Sequence, residues 1–327
     1  MTITLILLLT YLLCTIYKFN YSMNNPFFMS PQYSKTMKGL CCIPVIFVHI
    51  PLTYSNPIQD LIGSFGYICV TLFFFFSASG LQWNLENTPN YLKFFVRNRS
   101  ITLFIPYILS CILKYAFGFG IGSGGTHFIY VLILFYIIFY LTNKFLSPHV
   151  AFIFTICSVF FYSIISFFLA ETTLWSVEAL GFAYGLIFSK YKTFLINIMN
   201  RHYFLQTGIL CFSSLILGLL YSIWKSIFFW GDFILRIILG LCIISFILQL
   251  TVRITLQNKL SYALGTISYE VFLLHGFILN FLSSIDNSLH LSFSSDLYIA
   301  LTFLLSIPLA SIFHLLCLQL IKRFRAS

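Results

Sequence analysis

Eleven long apolar runs, parted by short polar segments, fix what this 327-residue chain can fold into. They fall at about 2–17, 39–55, 62–82, 100–117, 127–142, 150–169, 173–189, 203–223, 232–251, 261–284 and 297–320. About twenty apolar residues cross a ~30 Å hydrocarbon core as a helix. Only helices and closed barrels satisfy the backbone inside lipid. The runs therefore predict an all-α polytopic membrane protein with about 11 transmembrane helices. Only 8% of the residues are charged, against roughly 25% in a soluble domain, so no separate soluble domain is expected.

The basic residues order these runs. With the N-terminus outside, fifteen of the eighteen Lys and Arg fall in cytoplasmic segments, only Lys114 and Lys225 fall opposite, and Arg236 lies within a span. That asymmetry is the positive-inside pattern, and it puts the C-terminus in the cytoplasm. The formal net charge of +10 thus reflects topology, and no nucleic-acid partner is expected. Residues 1–17 lack the basic leader and small-residue cleavage site of a signal peptide, so they read as a retained span. The nine cysteines mostly sit within apolar runs without metal-binding spacing, and no metal is expected.

Ionisable side chains inside spans are costly and usually functional. In KGLCCIPVIFVH, Lys38 opens an apolar run and His49 lies eleven positions on, roughly 16 Å along a helix. A neutral imidazole at that depth can take a proton from a hydroxyl or be acylated itself. Arg97 and Arg99, in YLKFFVRNRSITLFIPY, share the cytoplasmic face with Lys38 and Lys93 and suit the phosphates of a nucleotide-like donor. VTLFFFFSASGL (70–81) carries small residues that let helices approach closely. TLWSVEALGF (173–182) enters a span from outside with Trp175 and Glu178. GTISYEVFLLHGF (265–277) brings Glu270 and His275. Asp232 and Arg236, four apart, can pair on one helix face. Each of these has a plainer structural reading: anchoring, packing or a single satisfied polar contact.

In this order, the motifs resemble the membrane-bound acyltransferase family 3, the integral O-acyltransferases. That family places a basic residue, usually Arg, eleven positions before an essential His; Lys38 and His49 stand there. FFFFSASG matches its FF-rich helix ending in Ser-Gly, with Ser77 or Ser79 as the family serine. Arg99 and Pro106 match its R-x-x-R before I-P-Y, with Thr102 at the second Arg and Arg97 as a substitute cation. LWSVE (174–178) matches L-W-S-x-E, and ISYEVFLLH (267–275) looks like I-S-Y-x-x-x-L-x-H. The resemblance covers about residues 35–320. It implies a ten-helix acyltransferase core within 35–327, preceded by one N-terminal span in 1–34.

The resemblance further implies transfer of an acyl group, most often acetyl from acetyl-CoA, to a sugar hydroxyl. No cofactor is bound; acetyl-CoA is a donor substrate. Lys38, Arg97 and Arg99 are expected to hold the CoA phosphates. His49 acts as base or acyl carrier, and Trp175, Glu178 and His275 orient the acceptor. Ser77, Ser79 or nearby amides are candidates to stabilise the oxyanion. Expected partners are acetyl-CoA, a cell-surface or lipid-linked polysaccharide (O-antigen, capsule or exopolysaccharide) and membrane lipids, at a bacterial plasma or inner membrane. The competing reading is a polytopic transporter or flippase using the buried polar residues as a pathway.

Overall fold

A computed structural model describes residues 2–49, 63, 66–120, 127–169, 174–256 and 258–326. The described chain is almost wholly helical. In order its helices are α1 (Thr2–Ile16), α2 (Pro31–Val48), α3 (Tyr67–Asn87), α4 (Tyr91–Ala116), α5 (His127–Phe145), α6 (Pro148–Phe168), α7 (Leu180–Lys190) and α8 (Lys192–Arg201). They continue as α9 (Tyr203–Trp224), a π-helical turn (Trp230–Leu235), α10 (Arg236–Thr251), α11 (Lys259–Thr266), α12 (Ser268–Leu289) and α13 (Ser295–Ala326). Two short strands, β1 (Asn20–Tyr21) and β2 (Ile254–Thr255), pair antiparallel and clasp the segment after α1 to the segment after α10.

Eight helices among the described residues are long and apolar enough to cross a membrane: α3, α4, α5, α6, α9, α10 with its π turn, α12 and α13. The protein is thus an all-α, multi-pass membrane protein. The other three expected runs take different forms. The first is a helix of 15 residues. The second starts earlier than expected, at Pro31, with a polar first turn capped by Ser30; its end at 50–55 lies outside the described residues. The seventh is not helical throughout, because Leu174–Ala179 wind through turns and only Leu180–Lys190 form α-helix.

The centre of the bundle follows from the aromatic run in α3. Phe73, Phe74, Phe75 and Phe76 are all buried. A helix buried around its whole circumference must be encased by others. Phe74 meets Phe128 of α5 edge-on at 4.8 Å, and Phe75 meets Phe188 of α7 at 5.7 Å. By contrast, α9 buries only Tyr203 and Tyr221, as suits a helix facing lipid.

Inside lipid, helices gain little from hydrophobic burial against each other, so close backbone approach does the packing. Gly181 and Gly185 lie one turn apart on α7. A Cβ on either would overlap the Thr71 or Phe75 carbonyl of α3. The same device sets α11 on α2, where Gly39 faces Ser261 and Gly265 faces the Lys35 backbone.

Helix α2 contains Pro44, which has no N–H for the Leu40 carbonyl one turn back. The Tyr11 hydroxyl of α1 donates to that carbonyl at 3.2 Å. Tyr33 of α2 bonds Thr251 at the end of α10 (2.6 Å). Through these bonds α1 is tied to the helix bearing Lys38, although the sequence set it apart as a preceding span.

Gly185→Leu is expected to lower stability by about 1–3 kcal/mol through overpacking. Gly208→Leu on α9, where nothing lies near an added Cβ, should stay within about 0.5 kcal/mol of the parent protein. Thermal unfolding in detergent measures both; equal effects would show that the α3–α7 approach does not limit the fold.

Candidate active site

Two cavities lie along α2 and α3. The larger, about 300 Å³, is lined by Lys38 of α2, Ser77, Ser79 and Trp83 of α3, Arg99 of α4 and Lys192 of α8, among others, with no Asp or Glu. Arg99 donates from Nη2 to the Tyr91 hydroxyl at 2.9 Å and lies over the Tyr136 ring at 5.5 Å. Lys192 lies over the Trp83 ring at 4.8 Å. Lys38 precedes the apolar run 39–55. Burial, and then the Arg99 guanidinium, push its ammonium down to about 8. Three cations around one cavity without a carboxylate form an anion site.

Arg97 is not part of this cavity. One helical position pair away from Arg99, it is exposed and stacks on Phe94 at 5.5 Å. Thr102, at the place of the second family Arg, donates to its own helix at the Asn98 carbonyl (2.8 Å). Lys192, which the sequence reading did not single out, is the third cation lining this cavity. Its signal was present only as one of several loop lysines, because the α7–α8 bend that turns it inward has no sequence marker.

The smaller cavity, about 130 Å³, is lined by His49, Tyr67, Trp175, Glu178 and Arg236, among others. His49 caps the C-terminus of α2 (φ −99°, ψ 14°), rather than lying within a longer helix. Its Nδ1 lies 2.8 Å from the Val45 carbonyl. A carbonyl only accepts, so Nδ1 carries the hydrogen and Nε2 keeps its lone pair. Such a ring can serve as a base or a nucleophile.

The broken seventh run forms the opposite wall. Non-helical backbone at membrane depth is tolerated where it is buried or lines a cavity. Here the Tyr162 hydroxyl donates to the Leu174 carbonyl (2.8 Å) and Ser163 donates to the Ser176 carbonyl. Trp175 adopts φ +53°, a left-handed conformation that costs a bulky residue about 1–2 kcal/mol. Glu178 is buried and pairs with Arg236 at 2.8 Å, whereas the expected partner of Arg236, Asp232, lies at 3.4 Å and is half-exposed. Arg236 also lies over the Tyr67 ring at 4.6 Å. The π-helical turn just before it belongs to a type common at functional sites.

His275 does not line this cavity with Trp175 and Glu178. It packs edge-on against His49, ring centres 4.8 Å apart, with its Nδ1 3.1 Å from the Val271 carbonyl. Its ring contact is with His49, on which it packs from α12. Ser77 and Ser79 line the cationic cavity. Ten and twelve residues along α3 from Tyr67, roughly 15–18 Å, they are too far from the His49 cavity to hold an oxyanion there. Glu270 makes a structural contact, 2.7 Å from His314 Nδ1 between α12 and α13. Among the described residues, no group of His, Cys, Asp and Glu is placed to hold a metal ion.

Glu178→Gln should destabilise the protein by on the order of 2–4 kcal/mol, because it leaves Arg236 facing a neutral partner in a buried pair. Asp232→Asn should cost under about 1 kcal/mol, as an exposed pair does. Thermal unfolding of the two variants in detergent tests the ranking; a larger loss for Asp232→Asn would overturn it.

Two comparisons yield no relative: no curated protein and no solved structure matches the chain. A third, against protein families, matches residues 32–315 to the acyltransferase domain. That interval spans most of the chain and holds every residue named above around the two cavities, so the chain belongs to the acyltransferase family 3 of membrane acyltransferases.

Proposed function

We propose that this membrane acyltransferase moves an acetyl group from acetyl-CoA to a hydroxyl of a cell-surface or lipid-linked polysaccharide. One observation carries the reading. A single helix, α2, presents Lys38 to a carboxylate-free cationic cavity and His49 to a second cavity eleven residues along. A donor with several phosphates and a long thioester arm suits such a pair of sites. Lys38, Arg99 and Lys192 bind the phosphates on the cytoplasmic side. The arm then runs along α2 and α3 to His49.

At His49, Nε2 takes the proton of the acceptor hydroxyl as that oxygen attacks the thioester carbonyl. His275 packs against that ring. Glu178 and Arg236 neutralise one another across the acceptor cavity, which favours an acceptor hydroxyl without a charge of its own. A transporter would need no thioester; labelled acetyl transfer by the purified protein separates that alternative from acyl transfer.

His49→Ala should lower acetylation of the host's surface glycan, read by its acetyl NMR signals, by about 10²–10⁴-fold; undiminished acetylation in folded protein would sink the assignment. Lys192→Met should raise the KM for acetyl-CoA about tenfold, a loss of about 1.4 kcal/mol, while Arg97→Met leaves it unchanged. The pH dependence has a definite sign. The Lys38 ammonium is charged below about 8 and neutral above it, so the KM for acetyl-CoA should rise between pH 7 and pH 9. Lys38→Arg, which stays charged throughout, should flatten that rise.

A further inference from the structure

We infer that the indole N–H of Trp175 and the Nε–H of Arg236 form the oxyanion site of the transfer reaction; the inference rests on acyl transfer at His49. Trp175 Nε1 and Arg236 Nε are both buried, and neither has a hydrogen-bond partner among the described residues. Both residues line the small cavity that also holds His49. A buried donor left unpaired costs about 1–3 kcal/mol. Two of them flanking one cavity, beside a histidine with a free lone pair, are kept for a group that arrives with the substrate. Both are donors, so that group is a hydrogen-bond acceptor, and in acyl transfer the thioester carbonyl oxygen is the acceptor that gains charge.

The neighbouring contacts hold these donors while leaving them free. The Arg236 guanidinium is fixed through its Nη atoms, which reach Glu178 at 2.8 Å and Asp232 at 3.4 Å. That leaves Nε as the guanidinium nitrogen with no partner among the described residues. The Trp175 side chain is held by a left-handed backbone in turns pinned by Tyr162 and Ser163. Both side chains are thus held before a substrate arrives, and oxyanion stabilisation depends on such preorganisation.

The step balances as follows. His49 Nε2 takes the hydroxyl proton, and the acceptor oxygen forms a bond to the thioester carbon. The carbonyl π pair moves onto its oxygen, where the two N–H groups hold it. Collapse returns that pair, breaks the C–S bond, and the departing thiolate takes the proton from Nε2. The products are the O-acetyl ester and free CoA thiol, with no further reactant.

The test uses the full chain in native membrane vesicles, with labelled acetyl-CoA as donor and the host's extracted surface glycan titrated as acceptor. Trp175→Phe keeps an aromatic ring and removes the N–H. It should lower kcat about 100-fold and leave both KM values within about twofold. Arg236→Lys keeps a cation for Glu178 and removes Nε–H; it should lower kcat similarly, and it probes the second donor should Trp175→Phe fail to fold. Detergent melting temperatures identify folded protein. If kcat in a folded variant stays within about threefold of the parent, or if added glycan restores the rate, the donors serve packing or acceptor binding and the assignment falls. His49→Ala runs alongside. Full activity there overturns the placement of the reaction at His49, whereas loss there with Trp175→Phe intact overturns only the oxyanion site.

Discussion

The architecture depends on how closely α7 lies against α3. Both helices are surrounded by lipid-like side chains, so no hydrophobic gain distinguishes one pairing from another. What distinguishes this one is the space left by Gly181 and Gly185, into which the α3 carbonyls fit. The contact sets the height of α7. That height sets where the turns of Leu174–Ala179 meet the cavity, and hence the reach of Glu178 to Arg236. A side chain on either glycine would push apart the two walls that bracket His49.

The site divides labour between regular and irregular backbone. Helices α2 and α3 act as rulers, holding a cationic pocket near one end and His49 near the other. The groups with unusual demands, namely a buried carboxylate, an arginine in a span and two unpaired N–H donors, come from the turns before α7 and from the junction where the π-helical turn meets the first residue of α10. Regular helix closes its own hydrogen bonds and leaves little to offer a substrate. Irregular backbone needs outside partners, such as Tyr162 and Ser163, and can aim side chains that a helix would direct elsewhere.

Much of this was legible in the residues. The long apolar runs gave the membrane class, and the Lys38–His49 spacing, with the motifs that follow it, gave the family. Lys38 and Arg99 do share one cavity, and Trp175 and Glu178 share another with His49. What could not be read depends on contacts between distant segments. Arg97 and Arg99 look alike in sequence, yet two positions on a helix are about 200° apart, and only one faces inward. Lys192 turns toward the cationic cavity because of a bend between α7 and α8. Asp232 is the neighbour of Arg236 in sequence, but Glu178, 58 positions earlier, is the closer partner. The ring contact between His275 and His49 joins residues 226 positions apart, and neither motif signals it.

The hydroxyl of Tyr11 on the Leu40 carbonyl carries a consequence for where the enzyme begins. The family match starts at residue 32, so alignment alone would cut the chain just before α2. The hydrogen-bond pattern draws the border elsewhere. Proline in the helix that carries His49 leaves a carbonyl that α2 cannot satisfy by itself, and a neighbour outside the matched interval satisfies it. The Leu40 carbonyl of the helix that carries His49 therefore keeps its partner only in a piece that includes Tyr11. What looks like an appended anchor supplies a backbone bond to the helix that lines both cavities.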